Sequence, residues 1–449
     1  MLERKLVLLS PNLTFGSAEW SNIMDNLKDS VIIGIDLSND YTQVSFLDNS
    51  NDVQSMSTIS DEQRYLIPTV MLKLNGSFQW CIGDEALARS EKGEGTLIEN
   101  IIVQVIEQKS IVLDHNEYFA SELLELYFAE LFKVIKVNLR TVGIESIVVT
   151  VADLDKKLID VIIDTVTRLG VKKENAKVIG HTESFIYYVL NQKREIWVNN
   201  VALFEFTKDY FKYRRLSILN SRNNMVVGVE ERDFSKELTY KRLKSQSGKE
   251  KSDMAFLRIA DSEFAGKVIS AVYLTGHGFS KKWSKESLVV LCNKRRVFQG
   301  SNLIVKGAGY CAKECFQSSI LQGYIFQCAG RTKVNVGIMV NHGGREIEQI
   351  LSYGGVNWYE AGAYTECILD YVDYIRFNIT SPVSGVGKMV YISLKDFPKR
   401  PNKTTRVAVT ITYLNENQFA ILVEDKGFGE FFPHSDKFVR EIVTISDEL

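Results

Sequence analysis

At 449 residues the chain is long enough for two or three domains with sizeable cores, and its 45% apolar and 24% charged content is that of a soluble globular protein. A formal net charge of −2 supplies no long-range field for nucleic acid or acidic lipid, so neither is an expected partner. No apolar window reaches the roughly 18 residues of a membrane-spanning helix, and six prolines in all argue against long disordered linkers.

Residues 1–30 mix charge at Glu3, Arg4 and Lys5 with the run Leu6–Leu9, too short for a signal peptide, and read as an irregular leader. Val31–Asp36 is a continuous apolar strand. The polar turn Ser38-Asn39-Asp40 then leads into a second strand, Tyr41–Leu47, which makes a hairpin. From Glu117 to Leu139 the positions Phe119, Leu123, Leu124, Tyr127, Leu131 and Val134 recur at helical spacing. Ile144–Val151 is a buried-type strand. Asp153 or Asp155 next caps a helix with the stripe Leu158, Ile159, Ile162, Val166 and Leu169, stopped at Gly170.

A strand at Lys177–Gly180, a helix at Thr182–Leu190 and paired strands at Val201–Phe206 and Lys212–Leu219 follow, which gives an α/β order carrying antiparallel hairpins. Glu230–Asp253 holds seven basic residues among Ser, Glu and Asp. With no aromatic platform beside them, they read as a solvated loop or small exposed subdomain rather than a nucleic-acid patch. Ala271–Thr275 is a strand and Leu303–Phe316 a helix. Beyond about Val334 the period changes to two, as in Val407, Val409, Ile411 and Tyr413, so the remainder reads as an antiparallel β-domain of about 115 residues.

Chemistry-bearing side chains are few. Six cysteines include no CxxC pair. Cys311 and Cys315 share a helix face either as metal ligands or as two small buried residues, and the absence of a second ligand pair favours the latter. A reduced, cytoplasmic protein is the expectation. The five histidines show neither HExxH nor triad spacing, and His342-Gly343-Gly344 reads as a turn. Tyr187, Tyr188 and Trp197 read as core or interface rather than as a base-stacking platform.

Four segments in order resemble the actin and DnaK-type ATPase superfamily. Ile33-Gly34-Ile35-Asp36-Leu37-Ser38-Asn39-Asp40-Tyr41 is similar to the chaperone's phosphate-binding hairpin. Leu66–Val70 with Ile82–Ala86 is similar to two pieces of the same first subdomain. Ile147–Val151, followed by His181-Thr182-Glu183-Ser184, stands where the chaperone has N-E-P-T. Val272–Phe279 resembles the adenosine-binding L-T-G-G-G-S. A fifth, Val423–Gly429, resembles the E-D-K-G-T-G turn of the chaperone's substrate-binding sandwich. The run Leu291–Gly300 with Asn302 and Gly307 resembles an uncharacterised bacterial family within the superfamily.

The resemblance implies a two-lobed actin-like ATPase fold of duplicated ribonuclease H-like subdomains plus a C-terminal antiparallel β-sandwich. The expected divisions are a leader at 1–30, lobe I at 31–200, lobe II with a reduced insertion at 201–333, and the sandwich at 334–449. It implies ATP or ADP with Mg²⁺ as ligand, contacted by Asp36, Ser38, Asn39, Asp40, Tyr41, Glu205, Thr207, Lys208, Gly276, His277 and Gly278. Asp36 and Glu205 would hold the metal through water.

The sequence departs from the family at the points that matter for hydrolysis. Ser38 and Asn39 replace a glycine and a threonine, and Asp40 adds charge beside the phosphates. Glu205-Phe206-Thr207-Lys208-Asp209-Tyr210 replaces the glycines of D-x-G-G-G-T, leaving Lys208 as a point charge. His277 either stacks on adenine or fills the pocket, and Asp153, in place of the family's V-P-A-Y segment, reads as a helix cap. Phosphoryl transfer depends on positioning and charge stabilisation, so a non-hydrolysing, chaperone-like binding or scaffold protein for a protein or peptide partner is the expectation. An ATP-driven chaperone, which would lack a helical lid after Leu449, and a filament-forming relative are the alternatives.

Overall fold

The computed structural model describes residues 28–58, 64–220, 225–317, 319–321 and 323–445. The expected leader falls outside these residues except for Lys28–Ser30, which open the first strand.

Two sheets repeat one topology. In the first, β1 (Lys28–Leu37) pairs antiparallel with β2 (Tyr41–Leu47), and β2 with β3 (Val53–Ser55). On its other side β1 runs parallel to β4 (Thr141–Val151), which runs parallel to β5 (Ala176–Gly180). In the second, β6 (Asn200–Phe206) pairs antiparallel with β7 (Phe211–Asn220), and β7 with β8 (Met225–Asp233). β6 runs parallel to β9 (Ile269–Thr275), and β9 to β10 (Arg296–Gln299). A short strand β11 (Tyr324–Gln327) adds to β8.

Around the first sheet lie helices α1 (Gly83–Glu91), α2 (Ile101–Ile106), α3 (Ala120–Leu139) and α4 (Lys156–Arg168), and α5 (His181–Leu190) follows β5. The second sheet contributes α6 (Gln246–Phe264), α7 (Lys285–Leu291) and α8 (Leu303–Phe316). Val31, Ile33 and Ile35 pack outward on α3 and α4, whereas Ile32 and Val148 point inward. Val201 and Leu203 likewise face inward while Phe204 and Phe206 pack on α6 through Phe256. Covered on both faces, these strands read as continuous apolar runs. Helices α5 and α8 fill the layer between the sheets. Two glycines of α8 permit this: a Cβ on Gly307 would lie 2.0 Å from the Ser184 carbonyl oxygen, and one on Gly34 of β1 would lie 2.4 Å from the Gly309 amide nitrogen.

After Val334 the chain forms β12 (Asn335–His342), β13 (Arg345–Ser352), β14 (Gly362–Ile368), β15 (Tyr374–Thr380), β16 (Gly387–Ser393), β17 (Arg406–Asn415), β18 (Gln418–Gly427) and β19 (Phe438–Thr444). They make two antiparallel sheets, β13-β12-β15-β16 and β14-β17-β18-β19, which share one core containing Phe377, Phe419 and Ile421. The turn after β18 is built on Asp425, whose carboxylate accepts two hydrogen bonds from Arg400 (2.6 and 2.7 Å) and one from Ser435 Oγ (2.6 Å).

Three expectations are corrected. The helix expected from Glu117 begins at Ala120. Asn116–Phe119 is a strand paired with Ser110–Leu113, and Phe119, its side chain exposed, is not part of the buried stripe. Its backbone N–H donates to Glu122 (2.8 Å) and so marks the helix start. Glu230–Asp253 is not a loop: it holds the end of β8 and the start of α6, anchored by buried Leu238 and Leu243 that its charged residues conceal. Finally, Asp155 rather than Asp153 caps α4, accepting from the N–H groups of Lys157 (2.9 Å) and Leu158 (3.2 Å). No helix among the described residues is long and apolar enough to cross a membrane.

Candidate functional site

The repeated topology brings two acidic strand ends face to face. Asp36 closes β1 beside Thr150 of β4, and Glu205 closes β6 beside Thr275 of β9. Each is followed by a turn of the same length and pattern, Ser38-Asn39-Asp40-Tyr41 and Thr207-Lys208-Asp209-Tyr210. Both turns are tied by their own side chains. The Ser38 amide donates to the Tyr41 carbonyl (3.3 Å) and the Tyr41 amide to Ser38 Oγ (3.2 Å). The Thr207 amide donates to the Tyr210 carbonyl (2.9 Å) and the Tyr210 amide to Thr207 Oγ1 (3.1 Å). Amides spent in this way are not available to cradle a phosphate.

His181, the first residue of α5, lies between the two acids. Its Nε2 is 3.1 Å from Asp36 Oδ1 and its Nδ1 is 2.8 Å from Glu205 Oε1, and the side chain is buried. Burial alone would push this imidazole down, but the carboxylates of Glu205 and Asp36 outweigh it and hold it up to about 10. The ring is therefore an imidazolium that donates to both sheets. Glu205 also accepts from Tyr210 Oη (2.7 Å) and from Arg214, a guanidinium buried completely. Burial raises its carboxyl, yet His181 and Arg214 dominate and hold it well below the usual carboxylate range. Arg214 continues the cluster to Glu231 (2.6 Å) and Thr182 Oγ1 (2.9 Å).

Nearer solvent, Lys208 Nζ pairs with Asp40 Oδ1 (2.7 Å) across the gap between the turns. His277 lies against the Tyr41 ring, stacked at 5.5 Å, and against Tyr240 at 5.5 Å. Burial and the nearby Lys208 lower its imidazole. Asp153 pairs with Lys212 (3.0 Å). These groups surround a cavity of about 410 Å³ that is lined by Asp36, Ser38, Asn39, Asp40 and Tyr41 from one turn and by Glu205, Thr207 and Asp209 from the other. Gly276 and His277 line it as well; Gly278 instead packs on Phe206, where a Cβ would lie 2.3 Å from the ring.

A family model described as "Family of unknown function (DUF5716) C-terminal" matches residues 52–329, more than half of the chain. The chain belongs to that family. A second model, "Domain of unknown function (DUF8552)", matches residues 331–445, the β-rich part. No match was found among curated proteins.

The DUF5716 segment contains His181, Glu205, Arg214 and His277 but starts after the Asp36–Tyr41 turn. Its α5 also holds the β-rich part. Glu183, one turn face away from His181, is buried and bound by Arg331 and by Asn357 Nδ2 (2.8 Å), while Lys177 pairs with Glu360 (2.9 Å). Four successive residues thus tie separate parts together: His181 and Thr182 to the acidic cluster, Glu183 to the β-rich part, and Ser184 to the Ile304 carbonyl of α8.

The sequence reading assigned Asp36, Ser38, Asn39, Asp40, Tyr41, Glu205, Thr207, Lys208, Gly276, His277 and Gly278 to the site, and the fold brings all but Gly278 to this cavity or its rim. His181 stands between Asp36 and Glu205, and Glu205 also accepts from Tyr210 and Arg214, so a water-bridged magnesium on the two acids has to displace or share these donors. The sulfurs of Cys311 and Cys315 lie 3.8 Å apart on α8, with no metal-ligating group of three around them among the described residues. His181, Tyr210 and Arg214 were not recognised as part of the site. The repeat Asp-Leu-Ser-Asn-Asp-Tyr and Glu-Phe-Thr-Lys-Asp-Tyr was the signal that pointed to the tyrosine.

Proposed function

We propose that this chain is an actin- and DnaK-like two-lobed binding protein whose phosphate site is closed by its own side chains. It acts as a chaperone-like scaffold for a protein or peptide partner, without magnesium-nucleotide as a fuel or a bound ligand. One observation carries this reading: the His181 imidazolium bridges Asp36 and Glu205 where the superfamily resemblance puts the metal and its water shell. Removing one partner of such a buried pair leaves uncompensated charge, so a nucleotide has to displace a cation that both lobes share. The repeated sheet order and the duplicated turns support the two-lobed reading.

The test is steady-state phosphate release from magnesium-ATP together with a melting curve. The expected result is no release above that of Asp36→Ala and Glu205→Ala, and no magnesium-dependent rise in Tm. Steady release abolished by Asp36→Ala would restore the ATP-driven reading.

A further inference from the structure

The cavity below the two turns has a one-sided chemistry. Leu66, Ile102, Val103, Ile106 and Leu158 form an apolar wall. The remaining lining is mainly polar and includes acceptors without a donor. Gln43, 6% exposed, donates through Nε2 to the Ser301 carbonyl (2.9 Å). A carbonyl only accepts, so the amide is oriented and Oε1 is the atom left over; it is buried without a partner. Asn39 Oδ1, on the same lining, is buried and unpaired as well. A buried polar atom with no partner is destabilising, and Gln43 Oε1, fixed as an acceptor by the bond its amide nitrogen makes, requires a donor. Asp209 adds a carboxylate, exposed on one side, that makes no ion pair among the described residues; the desolvation of its other side, then Asp40, raises it. Five carboxylates line the cavity (Asp36, Asp40, Asp153, Glu205, Asp209), and all but Asp209 are paired with a cation: His181, Lys208, Lys212 or Arg214. An anion would add to an existing excess of negative charge, whereas a cation would relieve it.

We propose that this cavity binds a donor-rich organic cation, a guanidinium or ammonium on an aliphatic stem, with the head toward Gln43 Oε1, Asn39 Oδ1 and the free carboxylate and the stem along the Ile102 and Ile106 wall. The assignment rests on the closed-phosphate-site reading above. The volume is that of a small-ligand pocket, and an arginine or lysine side chain of a partner and a free amine carry the same chemistry.

Thermal shift and calorimetric titration of the full chain test this, with agmatine, cadaverine, a blocked Gly-Arg-Gly peptide, pentanol, glutarate and magnesium-ATP as probes. Agmatine and cadaverine are expected to bind, and pentanol and glutarate are not. Gln43→Leu and Asp209→Asn should each weaken agmatine about tenfold. Asp209 is exposed, so its variant stays informative even where Gln43→Leu unfolds the chain. Tighter binding of the peptide than of agmatine assigns the ligand to a partner's side chain, and the reverse order assigns it to a free amine. Absence of binding by either amine to folded protein overturns the proposal, meaning that water satisfies the acceptors, as does amine binding indifferent to both variants. Magnesium-dependent ATP binding is a separate failure, since it overturns the closed-site reading on which the proposal stands.

Discussion

The two acidic turns started from one pattern and reached different chemical states. Glu205 accepts from three side chains, His181, Tyr210 and Arg214. Asp36, at the equivalent place, lines the same cavity but accepts from His181 alone among the described side chains. Their tyrosines part in the same way. Tyr210 turns its hydroxyl in to Glu205, whereas Tyr41 lays its ring against His277 at the rim. The position nine residues after each acid explains the divergence. Arg214 follows Glu205 and is buried against it, whereas Ser45 follows Asp36 and bonds the Val305 carbonyl of α8 (2.7 Å).

The comparison is broken most severely by removing the shared cation. His181→Ala leaves two buried carboxylates facing each other and should cost about 3–5 kcal/mol in urea unfolding; a loss below 1 kcal/mol would mean the acids do not depend on it. The asymmetry between the acids is sharpened by a matched pair of amides. Glu205→Gln strands both His181 and Arg214 and should cost about 3 kcal/mol, against about 1 kcal/mol for Asp36→Asn, and equal costs would erase the distinction.

Titration supplies a third measurement. The His181 imidazole rises from an ordinary 6.5 to about 10 on folding. Its contribution is therefore complete below pH 6.5 and is lost as pH rises through about 10. Stability should fall across that window, and the fall should flatten in His181→Gln. The smallest effect is at the tyrosines: Tyr210→Phe should cost about 1 kcal/mol and Tyr41→Phe close to nothing, because only the former hydroxyl is bonded inside the cluster.

Much of the architecture was legible because it is local. Ile144–Val151 and Val201–Phe206 are β-branched or aromatic runs covered on both faces, and the period-two segments after Val334 can only be half-buried strands. Residues 230–253 misled because charge on exposed positions outnumbered the two buried leucines that hold the segment to the sheet. Asp153 misled because a cap is chosen by φ/ψ and amide geometry, which two aspartates two residues apart satisfy unequally. Of the site, the acids and turns were visible as residue types, but their partners were not.

The sequence by itself determined the strands, the two turns and the positions of the two acids, since hydrophobic period and turn chemistry act over a few neighbouring residues. Only the tertiary structure decided that His181 would lie between two acids, that Glu205 would accept from three side chains, and that Gln43 would keep one atom unpaired. Each of those outcomes depends on groups far apart in the chain being brought within about 3 Å, where burial multiplies the worth of every charge and every missing bond.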